Sequence, residues 1–137
     1  MLAKEFLVQD PPPFFEALKN QLQYLGDGQP KMSIVVPAYN EEKLLPKTLL
    51  SLAVAIERFR EKAEVIIVNN ASTDRTREYA ALTGARVVDQ PRKGLSYSRQ
   101  AGLEAAEGDI VIGTDADTQV PLEWIPSHLR HYENPKT

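Results

Sequence analysis

Apolar and polar residues fall in blocks along this chain, and the blocks alternate in kind. MSIVVP (32–37), EVIIVNN (64–70), ARVVDQ (85–90) and DIVIGT (109–114) are short, β-branched and apolar on successive positions, the pattern of strands buried on both faces. Between them the apolar spacing changes to that of helices. Leu45, Leu49, Leu52 and Ile56 mark one helix face, preceded by Asn40 as a candidate cap with Glu41 and Glu42 in the expected first turn. STDRTREYAALTG (72–84) is predicted as a capped helix ending at Gly84, a position suited to a left-handed residue. GLSYSRQAGLEAAEG (94–108) is predicted as a helix lined with Ala and Gly, able to approach a sheet closely. PLEWIPSHLRHY (121–132) starts a last helix that Pro126 is expected to limit or kink.

Strand and helix alternating with short links imply βαβ units. The expected fold class is therefore α/β, a mostly parallel open sheet with helices on both faces, Rossmann-like in outline. Residues 1–30 form an N-terminal extension: Pro11-Pro12-Pro13 precede FFEALKNQLQYL, where Phe15, Leu18, Leu22 and Leu25 share one helix face, and Gly26 to Pro30 break the chain. That extra helix is expected to lie against the main domain, residues 31–137.

At 137 residues the chain suits one domain. Its net charge of −3 gives it no counterion-release advantage on DNA or RNA, so nucleic acid is excluded as a general partner. Cysteine is absent, which removes disulfides and thiolate metal sites and suits a reducing compartment. The first residues are too charged for a secretory signal, and no apolar run approaches the roughly 18 residues of a membrane span. The expected location is the cytoplasm.

In open parallel sheets, ligands bind outside the carboxyl ends of the strands. Here those ends are polar. Pro37-Ala38-Tyr39-Asn40-Glu41 follows the first strand, Asn69 to Asp74 the second, and Asp115-Ala116-Asp117 the fourth; Arg92, Lys93 and Arg99 follow the third. Asp115 and Asp117 have no basic neighbour in sequence, so their counter-charge is expected to be a divalent cation, Mg²⁺ or Mn²⁺, completed by substrate phosphates. Ala116 is small enough to let a ligand pass near the backbone, and Arg99 suits a diphosphate. Plainer readings stand beside these. Asn70 can shape a turn, Glu41 and Glu42 can complement a helix dipole, Lys93 can be a solvated charge, and His128 with His131 lack a third ligand. No glycine-rich phosphate loop follows any strand, which disfavours other nucleotide-binding enzymes.

Taken together, MSIVVPAYNEEKLLPKTLLSL, EVIIVNNASTDRTREYA and RKGLSYSRQAGLEAAEGDIVIGTDADT resemble the family 2 glycosyltransferases of the GT-A fold, from about Met32 to Trp124. The resemblance implies inverting transfer of a sugar from a nucleotide-diphosphate sugar to an acceptor hydroxyl, on a saccharide or lipid-linked acceptor of envelope polysaccharide or lipid synthesis. A lipid-linked acceptor implies peripheral association with the cytoplasmic face of a membrane. By resemblance, Pro37, Ala38, Tyr39 and Glu41 frame the nucleotide, and Asn70 stands where an acid commonly reads the base. Arg99 lies near the diphosphate, Asp115 and Asp117 hold ribose and metal, and Asp117 is the direct metal ligand. Asn69-Asn70-Ala71-Ser72 departs from the acidic versions of that segment and leaves the nucleotide open. The resemblance also places the acceptor site and general base in chain beyond the D-x-D half, and no residue here matches that base. The rival expectation is a non-catalytic nucleotide-sugar-binding or interaction module.

Overall fold

Four parallel strands, β1 (Met32–Ala38), β2 (Ala63–Asn69), β3 (Arg86–Asp89) and β4 (Ile110–Gly113), form a sheet in the order β3-β2-β1-β4. The structure is a computed structural model that describes residue 22, residues 29–59 and residues 62–133. Both central strands are almost wholly buried, which is why their sequences show no polar alternation. The register pairs Ala38 with Asn69 and Asn69 with Asp89, so the polar strand ends lie side by side on one rim. Among the described residues β4 pairs with β1 alone.

Helices cover both faces. Ile34, Val36, Val65 and Ile67 point into a core shared with Leu45, Leu49 and Leu52 of α1 (Leu45–Phe59), Ala80 of α2 (Thr76–Leu82) and Ile125 of α4 (Trp124–Glu133). Val35, Ile66 and Val68 point the other way, against Ala101 and Ala105 of α3 (Leu95–Ala105). The small residues of α3 matter here: a Cβ on Gly102 would lie 2.3 Å from Val35 Cγ1. At the opposite end from the rim, buried Glu64 accepts hydrogen bonds from Ser33 Oγ and Glu107 N (2.5 and 2.7 Å). Arg86 bonds both Glu64 and the Ala105 carbonyl there, which anchors the far end of α3.

Gly84 has φ 81°, the left-handed conformation expected of it. Three expectations need correction. α1 begins at Leu45 rather than at Asn40, because Pro46 has no N–H to donate and is at home in a first turn. Residues 41–44 form a turn instead, closed by the Leu45 N–H on the Glu41 carbonyl at 2.8 Å. α2 begins at Thr76, where Asp74 Oδ1 accepts the backbone N–H. Pro126 neither limits nor kinks α4, since it falls in the first turn, where its missing donor costs nothing. Most of the expected N-terminal helix lies outside the described residues; Leu22 is helical and buried in the main core.

Candidate functional site

The rim is knitted by polar side chains rather than by regular structure. Asn40 Oδ1 accepts the Thr73 N–H (2.8 Å), and the Asn40 N–H bonds Ser72 Oγ, tying the β1 end to the β2 end. Thr76 Oγ1 accepts the Glu41 N–H at 2.8 Å, and Asp74 Oδ2 accepts that of Glu42. Two residues pay for the sharp turns with left-handed backbone: Asn40 at φ 49°, which asparagine tolerates, and Ala71 at φ 58°, which alanine does not adopt readily. Burial alone would push the Asp74 carboxyl up, but the hydrogen bonds from Thr76 and the Glu42 N–H outweigh it and hold it below the usual range.

A cleft of about 480 Å³ opens beside β1 and β4, lined by Pro37, Arg99, Leu103, Thr114, Asp115 and Thr118 among others. Arg99 therefore faces the same space as Asp115. Neither side chain forms a hydrogen bond or ion pair with another described residue, and Asp117 has only Thr118 Oγ1 at 3.4 Å. Ala116 is turned inward, its methyl in the core, so its small size serves packing. Its carbonyl accepts a 2.7 Å bond from Thr48 Oγ1 of α1, and this fixes the two flanking carboxylates toward solvent. The sequence signal for Thr48 is its polarity among Leu45, Leu49 and Leu52. Thr48→Val keeps the shape and leaves that buried carbonyl unpaired. We expect a loss of about 1–2 kcal/mol in denaturant unfolding.

The second cleft, about 310 Å³, is lined by Pro37, Ala38, Tyr39, Asn70, Lys93, Gly94, Leu95 and Ser98. Asn70 is buried and its amide is used internally: Nδ2 donates to the Gln90 and Arg92 carbonyls (2.9 and 2.7 Å), and Oδ1 accepts the Gly94 N–H (2.9 Å). It ties the loop after β3 to the end of β2. Tyr39 is half-exposed, with Lys93 Nζ 5.3 Å from its ring centroid, within cation–π range. The basic cluster is thus divided. Arg92 lies over Tyr97 and donates to its hydroxyl at 2.8 Å, Lys93 covers Tyr39, and Arg99 faces the larger cleft.

Negative charge accumulates between β1 and β4. Burial pushes the Glu41 carboxyl up, and Asp117 and then Asp74 push it further in the same direction. A carboxyl raised in the folded state stabilises the fold below its unfolded pKa and loses that contribution as pH rises through the folded one. Glu41→Gln should therefore raise the melting temperature at pH 7 and not at pH 4, by well under about 1 kcal/mol at this partly exposed site. Melts at the two pH values check the sign.

Residues 33–137 match the family model described as Glycosyl transferase family 2. The chain belongs to glycosyl transferase family 2. Its fold is the GT-A fold of its structural neighbours. Glucosyl-3-phosphoglycerate synthase from Mycobacterium tuberculosis, solved with Mn²⁺, UDP and glucosyl-3-phosphoglycerate, superposes with a TM-score of 0.62 at 28% identity, over 86% of this chain and 42% of that one. TarS 1-349 from S. aureus, solved with UDP-GlcNAc, gives 0.59 at 26% identity over 75% and 31%. An undecaprenyl-phosphate 4-deoxy-4-formamido-L-arabinose transferase of Aeromonas hydrophila is 37% identical over 102 residues, 69% of this chain and 31% of the relative. A dolichyl-phosphate hexose transferase of Haloferax volcanii is 34% identical over 99 residues, 72% and 41%. The chain spans about a third of the length of the curated relatives it matches.

Asp115 and Asp117 suit a cation in one mode. Among the described residues no group of three or more acidic, histidine or cysteine side chains is placed to hold a metal ion. Two carboxylates without a basic partner fit Mg²⁺ or Mn²⁺ when phosphate oxygens complete the coordination.

Proposed function

We propose that this chain is the donor-binding part of an inverting, metal-assisted glycosyltransferase that takes a nucleotide-diphosphate sugar. The observation that carries the reading is the placement of Arg99 and Asp115 on one cleft at the carboxyl ends of β1 and β4, with no internal partner for either among the described residues. The ribose and base lie along Pro37, Ala38 and Tyr39, across the smaller cleft, and Glu41 borders Asp117 at the metal end. Arg99 pairs with the diphosphate through its planar guanidinium. Asp115 and Asp117 would hold the cation, which when bound supplies positive charge to the departing diphosphate.

In the transfer, an acceptor oxygen attacks the anomeric carbon from the side opposite the diphosphate. The new C–O bond forms as the sugar–phosphate bond breaks, so the centre inverts and the nucleoside diphosphate leaves. Relatives named for undecaprenyl phosphate and dolichyl phosphate suggest a lipid phosphate as acceptor. A phosphate monoester is already ionised at neutral pH. It attacks without a general base, whereas a sugar hydroxyl needs one. A lipid acceptor brings the protein to the cytoplasmic membrane face by peripheral association, in envelope polysaccharide or lipid synthesis. No helix among the described residues is long and apolar enough to cross a membrane.

Calorimetric titration of uridine, UMP, UDP and a UDP-sugar, with the GDP series in parallel, tests this. Affinity should climb at the diphosphate only when Mn²⁺ is present. Equal affinity for nucleoside and nucleoside diphosphate in Mn²⁺ would instead support a non-catalytic binding module.

A further inference from the structure

Ser98 sits in the first turn of α3, 1% exposed, and lines the smaller cleft. Among the described residues its Oγ is the buried side-chain polar atom without a hydrogen-bond partner. A helical serine ordinarily bonds back to the carbonyl four residues earlier. Here the Gly94 carbonyl accepts the Ser98 backbone N–H at 3.2 Å and the hydroxyl stays unpaired. Buried hydroxyls that go unpaired destabilise a fold, so one kept at the floor of a cleft invites a ligand as its partner.

Its surroundings define what that partner offers. Asn70 has both N–H groups of its amide donated within the protein, and its Oδ1 already accepts the Gly94 N–H. Gly94 begins α3 without a side-chain cap, and the N–H groups of Leu95, Ser96 and Tyr97 have no acceptor within the helix. Lys93 adds a further donor on the same wall. Of these residues Leu95 lines the cleft, beside Lys93, and the cleft's hydroxyls are the buried one of Ser98 and the half-exposed one of Tyr39, each able to donate and accept.

Building on the donor-site reading above, we propose that Ser98 and the open first turn of α3 select the base of the nucleotide. They favour a base whose edge sets a ring carbonyl beside a ring N–H, as in uracil or guanine. The carbonyl oxygen receives the Leu95 N–H at the start of the turn, and the ring N–H donates to Ser98 Oγ. Cytosine and adenine would turn an exocyclic amino group toward those donors instead.

The test is the affinity of the native chain and of Ser98→Ala for UDP, CDP, GDP and ADP with Mn²⁺. The native chain should prefer UDP to CDP and GDP to ADP by about tenfold, the scale of a hydrogen bond lost with its partner left buried. In Ser98→Ala the preference should fall to within about threefold. The melting temperature should hold or rise, because alanine is the better helix former and the unpaired hydroxyl is gone. A native chain that binds all four alike, or a variant that keeps the full preference, overturns the assignment and leaves the donor site standing. A lower melting temperature with unchanged preference overturns it too, by showing a structural role. Failure of all four to bind would overturn the donor site, and this assignment with it.

Discussion

Asp117→Ala is expected to remove metal-dependent binding of a nucleotide-diphosphate sugar while leaving the fold in place. Asp117 is exposed, and among the described residues its side chain has one long hydrogen bond, with Thr118, so its loss should change stability by less than about 0.5 kcal/mol. Its contribution to a cation is of another order. A site with few protein ligands depends heavily on each, and we expect the affinity for UDP-sugar in Mn²⁺ to fall at least about a hundredfold. The affinity for uridine should not move, because the base and ribose meet other residues. Glu41 supplies an internal check. Asp117 helps raise its carboxyl, so the variant should also bring Glu41 back toward its usual range. Asp117 that can be removed without changing Mn²⁺-dependent binding would place the cation elsewhere.

The second large effect lies beneath the site. Gly102→Ala puts a methyl 2.3 Å from Val35 Cγ1, well inside contact distance, so the helix or Val35 must shift. We expect a loss of about 1–3 kcal/mol in denaturant unfolding, the usual scale of overpacking. α3 carries Ser98 and Arg99 to the two clefts, so lifting it from β1 should weaken donor binding as well. Adding Val35→Ala removes the colliding methyl groups and should recover part of both losses. The double variant measures the contact itself, since the effects of touching residues do not add.

The order of strands and helices was legible because it rests on burial. MSIVVP and EVIIVNN read as strands covered on both faces, and both are. The convergence of Pro37, Asn70 and Asp115 on one rim followed from parallel topology alone. What the sequence could not show was the partner each polar side chain had taken. Asn40 reads as a helix cap; its side chain bonds Thr73 across the rim, and Pro46 decides where α1 begins. By resemblance Asn70 stands where a residue reads the base, yet its amide is bonded to Gln90, Arg92 and Gly94. Arg92, Lys93 and Arg99 form one cluster in the chain and three separate arrangements in space, because Tyr97 and Tyr39 hold the first two. Ser98 looks like one more small residue on an Ala- and Gly-lined face, and only the packed structure leaves its hydroxyl unpaired.

On the proposed function, Asp115 and Asp117 receive their counter-charge together with a diphosphate. Measuring the affinity for Mn²⁺ with and without saturating UDP, and for UDP with and without saturating Mn²⁺, tests it most directly. Each ligand should strengthen the other by the same factor, about tenfold or more, as linkage requires of two ligands sharing one site. Mn²⁺ and UDP that bind without regard to one another would rule out a shared site at these two carboxylates.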